Sequence, residues 1–294
     1  QEIDAELLDP AKQIDPYKPN DKRRISSETL RKLGTFQAGY NGQTVWVYPI
    51  YNQAGELGAQ KLRDPFKNFP LLKGSAYQSL ADCQLVFRHV WGDRYDRQVV
   101  ITEGEEDAKA AIDAGVKSAV VSLTAGIAAA VRNLKANYLW LDRFTEIVLW
   151  FDNDEAGKKA VAECAALFKI GKVRVATAMG FCLDGKTLCK DASDIKQAGR
   201  PGDILTCIYA AQAWRPSGIV NAKDSSSVVL APRERVHAYS YPPSMANLQE
   251  MTGGMYPGEV VFHVAGTGVG KTASMREIQN HLLEQGVKIA VFSF

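Results

Sequence analysis

Apolar and polar positions follow three different rhythms along this chain. Between residues 25 and 97, short runs of β-branched and aromatic residues are broken by turn formers. Val45-Trp46-Val47-Tyr48-Pro49-Ile50-Tyr51 and Gly58–Arg63 predict two short strands about a turn near Asn52–Gly55, and Asn41-Gly42 predicts a tight turn before them. From 98 the rhythm becomes strand, helix, strand, helix, strand, helix, strand. Strands are expected at 98–103, 118–123, 146–151 and 172–179, and helices at about 105–114, 126–138 and 155–169. These strands are apolar at nearly every position, which indicates a parallel sheet covered on both faces. Ligands bind such sheets beyond the carboxyl ends of the strands.

The third rhythm starts near 243. Arg215-Pro216-Ser217-Gly218, Asp224-Ser225-Ser226-Ser227 and Pro232 mark a linker over 213–242. Beyond it, Val260–Val264 predicts a strand and Ala273–Gln285 an amphipathic helix. Phe294 falls inside what should be this domain's second strand, and the first residue is Gln rather than Met, so the chain is expected to be a piece of a longer protein. At the other end, residues 1–24 read as an exposed arm, rich in Asp, Pro and Lys through residue 21. The expected organisation is an arm (1–24), a small mixed α+β subdomain (25–97), an α/β domain (98–212), a linker (213–242) and the start of a nucleotide-binding domain (243–294).

Composition narrows the function classes. Hydrophobic residues make up 46% and charged residues 23%, ordinary for a globular protein. No apolar run approaches the roughly 20 residues of a membrane span, so no membrane partner is expected. The five cysteines are odd in number and include no Cys-x-x-Cys pair. That argues for reduced thiols in a cytosol-like compartment and against a zinc site within these residues. Net charge is +2, but residues 22–73 hold nine Lys/Arg against three acids. A basic block ahead of an acid-lined region suggests a polyanion gripped by one part and processed by the other.

The acids stand at strand ends. Glu103-Gly104-Glu105 follows Val99-Val100-Ile101-Thr102, and Asp152-Asn153-Asp154 follows Ile147-Val148-Leu149-Trp150-Phe151. Carboxylates gathered there are costly unless a cation compensates them, and Mg²⁺ takes one or two carboxylates together with substrate phosphates. The alternative is local: Asp154 caps the helix starting at Glu155, while Glu105, Glu106 and Asp107 favour the positive end of theirs. A third acidic segment, Lys190-Asp191-Ala192-Ser193-Asp194, follows the fourth strand, and three at one sheet edge favour metal. In the basic block, Lys61 and Arg63 share a strand face near Phe66, Lys67 and Phe69. Interleaved cations and rings suit single-stranded nucleic acid, and a solvated hairpin is the plainer alternative. Finally, Ala265-Gly266-Thr267-Gly268-Val269-Gly270-Lys271-Thr272 is a P-loop pattern with Ala at the first position. The backbone at Gly266, Gly268 and Gly270 would cradle the phosphates of ATP or dTTP, with Lys271 at the β/γ-phosphates and Thr272 on Mg²⁺.

Taken in order, Thr102–Asp107, Phe151–Gly157 and Lys190–Asp194 resemble the motifs of the TOPRIM domain, shared by DnaG-type primases, type IA and II topoisomerases and some nucleases. Over residues 35–294 the chain is most similar to the bifunctional primase-helicases of tailed bacteriophages, relatives of mitochondrial Twinkle. The resemblance implies an α/β fold: a TOPRIM (Rossmann-like parallel sheet) core, a small α+β subdomain before it, and a RecA-like P-loop domain after the linker. It implies Glu103 as general acid/base or metal ligand, Asp152 and Asp154 as holders of Mg²⁺ or Mn²⁺, and Glu105, Asp191 and Asp194 in support. It also implies Lys61, Arg63, Lys67 and Lys190 as contacts to ribonucleoside triphosphate or template. The expected activity is RNA-primer synthesis on single-stranded DNA by metal-dependent nucleotidyl transfer, joined to an ATP-driven 5′–3′ helicase. The expected partners are template, replicative DNA polymerase and a hexamer-like ring of the same chain, in the cytoplasm of a bacterial host. A Twinkle orthologue would be mitochondrial, but no transit peptide is visible. The competing readings are a catalytically silent DNA-binding platform of Twinkle type and a TOPRIM topoisomerase or nuclease. Intact carboxylates speak against the first, and the nearby P-loop against the second.

Overall fold

A computed structural model describes residues 2–4, 6–92, 97–216 and 238–292. The chain forms two compact units, residues 1–219 and 220–294.

The first unit begins with a five-stranded sheet of order β1-β5-β4-β3-β2, comprising β1 (Glu2–Asp4), β2 (Phe36–Tyr40), β3 (Gln43–Tyr51), β4 (Leu57–Arg63) and β5 (Leu71–Lys73). Asn41 and Gly42 close the β2–β3 hairpin as a two-residue turn, both with positive φ (47° and 74°), as their sequence predicts. Helix α1 (Ser27–Leu33) is capped by Ser26 and ends on left-handed Gly34. The exposed-arm reading needs correction. β1 pairs in parallel with β5, and Leu7, Leu8 and Tyr17 pack on the small core around Phe36, Val47, Leu62 and Leu72. The Gln60 side chain grips Leu8 at both its N–H (2.7 Å) and its carbonyl (2.8 Å). A three-residue strand carries too little periodicity to be read ahead of its partner.

The second sheet has the order β10-β9-β8-β6-β7. Strands β6 (Gln98–Thr102), β7 (Ala119–Ser122), β8 (Glu146–Trp150) and β9 (Val173–Val175) are parallel, and β10 (Gln212–Ala213) runs antiparallel at the edge. Val99, Val100, Ile101, Val120, Val121, Ile147, Val148 and Leu149 are wholly buried, which explains their unbroken apolar runs. The first crossover moves outward from β6 to β7 and the next returns past β6 to β8, so right-handed connections put the helices on opposite faces. α3 (Glu105–Asp113) accordingly packs with α7 (Ala192–Gln197) and α8 (Pro201–Tyr209), whereas α4 (Ala130–Ala136) packs with α6 (Glu155–Ala165). The reversal makes the β6/β8 border the switch point where such sheets bind ligands.

Three expectations change in detail. The helix expected at 126–138 is a 3-10 turn (Ile127–Ala129), then α4, then α5 (Tyr138–Leu141). Asn137 makes the joint because its amide donates to Cys83 O and Asn133 O (3.0 and 2.8 Å) and its carbonyl accepts from Leu85 N–H. The fourth strand stops early: Ala176 N–H bonds Leu149 O, and β8 ends at Trp150, leaving residues 177–179 no strand to pair with. A short helix, α2 (Arg88–Trp91), lies between the two sheets in the chain. Of the expected linker, Ala213 belongs to β10, and residues 217–237 lie outside the described residues.

In the second unit, α9 (Ala246–Thr252) ends on left-handed Gly253, and α10 (Lys271–Glu284) follows the P-loop pattern. Val260–Val264 forms no strand. A strand needs a neighbour to satisfy its backbone groups, and no strand lies beside these residues among those described. Residues 288–292, just ahead of Phe294 where the second strand is expected, form no strand either. The loop itself turns through Gly268 and Gly270 at φ 81° and 94°. Lys271 opens α10 and donates to Ala265 O at 2.6 Å, with Gly266 and Thr272 exposed on either side.

Candidate active site

Glu103 and Asp152 leave the sheet side by side. Thr102 pairs with Trp150 across β6 and β8, so the residues that follow emerge together at the switch point, and the Asp152 N–H points at Glu103 Oε2 (3.4 Å). Asp154 lies two residues on as the N-cap of α6, its Oδ1 accepting from Gly157 N–H at 2.7 Å. Gly157 is required there, since a Cβ would come within 2.0 Å of the Asp152 carbonyl oxygen.

The third acidic segment is stitched to the first. Asp191 caps α7 by accepting from Asp194 N–H (2.6 Å), and Asp194 Oδ2 accepts from Lys190 N–H (3.3 Å). In the first turn of α3, Asp107 Oδ1 accepts from Ser193 N–H (3.1 Å), and its carboxyl is hydrogen-bonded to that of Asp191. Burial first, and the Asp191 charge second, hold Asp107 well above the usual carboxylate range. Glu103, Asp152 and Asp191 are all pushed up as well, first by burial and then by neighbouring carboxylates, with Lys190 opposing the shift at Asp152.

A cleft of about 820 Å³ joins Glu103, Asp107, Asp191 and Asp194 to the basic wall of the first sheet, with Lys67, Lys190 and Phe69 also in its lining; Asp152 and Asp154 stand beside Glu103 but are not among the lining residues. Lys61 and Arg63 lie over the Phe69 ring, 5.3 and 5.6 Å from its centroid. Their charges are nevertheless already engaged: Lys61 Nζ is 2.6 Å from Glu105 Oε1, and Arg63 Nη1 is 3.8 Å from Glu106 Oε1. The two residues expected at metal and phosphate, Glu105 and Lys61, line the cleft and pair with each other between subdomain and α/β domain. Lys67 is exposed on the turn after β4, with φ 66°.

Sequence reasoning did not anticipate the network behind this wall. Lys109 is fully buried; its ammonium is 2.9 Å from Glu106 and 4.9 Å from the ring centroids of Trp46 and Tyr48. The Tyr48 hydroxyl donates to Glu106, whose other oxygen faces Arg23 Nε at 3.2 Å. Arg23 also donates to Ser193 Oγ at 2.5 Å, tying α7 into the same set. The signal was a lone Lys inside Ala108–Ile112, three residues after a Glu.

The donor set is compatible with a divalent metal. Among the described residues no three acidic, His or Cys side chains converge into a ready-made cage. Mg²⁺ does not require one, because it keeps several waters and takes one or two carboxylates with substrate phosphates. Hard oxygen donors whose negative charge is raised in cost by burial and by each other are what such a cation relieves.

This arrangement can be set beside known proteins. A family model described as "Toprim-like" matches residues 100–191, and one for the "Bacteriophage T7 DNA helicase/primase, N-terminal a+b fold" matches residues 16–72. Over 259 residues the chain is 34% identical to a DNA helicase/primase of Enterobacteria phage T3. The crystal structure of the primase fragment of the bacteriophage T7 primase-helicase matches with TM-score 0.59 at 33% identity, over 69% of this chain and 78% of that one. The chain belongs to the phage primase-helicase family. A second family structure, of bacteriophage T7 lagging-strand DNA polymerase interacting with primase domains of two subunits bound to an RNA/DNA hybrid and dTTP, matches with TM-score 0.61 at 34% identity. That match covers 71% of this chain and 98% of the other. The match to the phage T3 primase-helicase takes in 87% of this chain but only 43% of the relative. No helix among the described residues is long and apolar enough to cross a membrane.

Proposed function

We propose that residues 1–216 form a DNA primase, which joins ribonucleoside triphosphates into short RNA primers on single-stranded DNA. The observation that carries this reading is Glu103, which stands beside Asp152 at the switch point and lines, with Asp191 and Asp194, one cleft shared with a wall of cations and rings. Glu103, Asp152 and Asp154 would hold Mg²⁺ or Mn²⁺, with Asp191 and Asp194 in support. The metal, when bound, lowers the cost of forming a 3′-alkoxide and of releasing pyrophosphate. Lys67 and Lys190 receive the triphosphate, and Phe66 and Phe69 offer flat apolar surface to template bases. Asp107, which accepts from Ser193 N–H, ties the start of α7 to the first turn of α3.

In the full-length protein this primase is coupled to a ring helicase that draws on ATP or dTTP at Gly266–Thr272, working with a replicative polymerase in the cytoplasm of an infected bacterium. Support comes from the helicase/primase name of the phage T3 relative and from the T7 assembly, in which polymerase meets two primase domains. The test is incorporation of labelled ribonucleotides on single-stranded DNA with Mg²⁺ or Mn²⁺, comparing the wild type with Asp152→Asn. Dinucleotides lost in the variant support a primase. Tight DNA binding with no incorporation by the wild type under any metal would make the domain a silent platform.

A further inference from the structure

The hairpin ahead of α7 carries two cysteines that the chemistry above does not use. Phe181 and Leu188 pair antiparallel. Cys182 N–H donates to Thr187 O at 2.7 Å, and Cys189 N–H to Gly180 O at 2.9 Å. Residues 180, 182, 187 and 189 therefore share one face of the hairpin, and the Sγ atoms of Cys182 and Cys189 are 3.7 Å apart. Cys182 is partly exposed, while Cys189 and the other three cysteines are buried. Arg200 Nη2 donates to Cys189 Sγ at 3.3 Å and to Phe181 O at 2.8 Å.

We propose that Cys182 and Cys189 are a reversible thiol modification site, oxidised to an intrachain disulfide by low-molecular-weight disulfides of the glutathione class. Cys182, the accessible thiol, gives its proton to solvent and attacks one sulfur of the oxidant, whose S–S bond breaks to release one thiolate. Cys189 then loses its proton and attacks the Cys182 sulfur, forming the hairpin disulfide and expelling the second thiolate. Two protein thiols are oxidised and one external disulfide is reduced. The sulfurs must close from 3.7 Å to about 2.05 Å, a movement within reach of side-chain rotation. The product would brace the strand that runs directly into Lys190 and Asp191. Disulfides in reducing compartments are characteristically transient and redox-responsive.

The test exposes the folded, reduced chain to oxidised glutathione, quenches it with iodoacetamide and reads intact mass and peptide map. The expected wild-type product has lost two hydrogens, resists alkylation at Cys182 and Cys189, maps as a 182–189 cross-link and reverts with dithiothreitol. Cys189→Ser should stop at one glutathione on Cys182. A persistent mixed disulfide on the wild type, a cross-link to Cys83, Cys164 or Cys207, or two thiols still open to alkylation would overturn the proposal. The wild-type readout stands whether or not the variant folds.

Discussion

Glu106→Gln should weaken the first unit by about 3 kcal/mol at neutral pH, with a pH dependence that identifies the cause. Glu106 is almost wholly buried yet lies below the usual carboxylate range, at about 2 against 4.5. Burial alone would raise it; the ammonium of Lys109, the guanidinium of Arg23 and the Tyr48 hydroxyl overcome that. At about 1.36 kcal/mol per pKa unit, the difference favours the folded state by about 3 kcal/mol once the group is ionised in both states. Gln keeps an acceptor for Tyr48 but removes the charge that compensates buried Lys109. Because the folded value is depressed, the contribution is complete above pH 4.5 and is lost as pH falls towards 2. At pH 3.5 the wild type has already given up about 1.4 kcal/mol of it, so the gap to the variant narrows to about 2 kcal/mol. Urea unfolding followed by tryptophan fluorescence measures this, since all five tryptophans lie between residues 46 and 214. A gap under about 1 kcal/mol at pH 7, or an equal gap at both pH values, would mean that Glu106 is not held as an anion by its partners.

The remaining predictions concern the cleft. Asp154→Asn should abolish dinucleotide synthesis with melting temperature unchanged, because Asn caps a helix as well as Asp; a loss of stability in proportion to activity would reduce Asp154 to a cap. Lys67→Ala should weaken DNA or nucleotide binding and flatten its dependence on salt through fewer released counterions, and an unchanged slope would return Lys67 to the solvated turn. Gly157→Ala must move the Asp152 backbone, whose carbonyl oxygen would be 2.0 Å from the new Cβ. A loss of about 1–3 kcal/mol in stability, together with lost synthesis, is expected; wild-type behaviour in both would show that the loop is not held as described.

How much the sequence discloses depends on the range of the interaction. β6 and β8 are readable because burial on both faces leaves an unbroken apolar run, and their ends because an acidic cluster follows each run directly. α1, β2, β5 and β10 gave almost no signal, being either very short or dependent on a partner far along the chain. The pairing of Lys61 with Glu105 spans 44 residues, and no periodicity encodes which cation meets which acid. Val260–Val264 fails for the opposite reason: its strand propensity is plain, but a strand exists only beside another.

Capping competes with metal binding as the explanation of Asp154, and the geometry joins the two both there and at Asp191. A carboxylate has two oxygens with about four acceptor sites, and capping uses one oxygen of each: Asp154 Oδ1 at Gly157 N–H, and Asp191 Oδ1 at Asp194 N–H. The cap fixes the rotamer, so the charge is aimed before any cation arrives and little side-chain entropy remains to be lost on binding. Glu103 has no cap to orient it and instead rests against the Asp152 N–H at 3.4 Å. That contact is long and easily broken, which suits the one carboxylate of the three expected to exchange a proton or shift during the reaction. Glu103→Gln should accordingly abolish synthesis with the smallest structural change of the three, whereas losing a cap as well as a charge, as in Asp191→Ala, should also loosen α7.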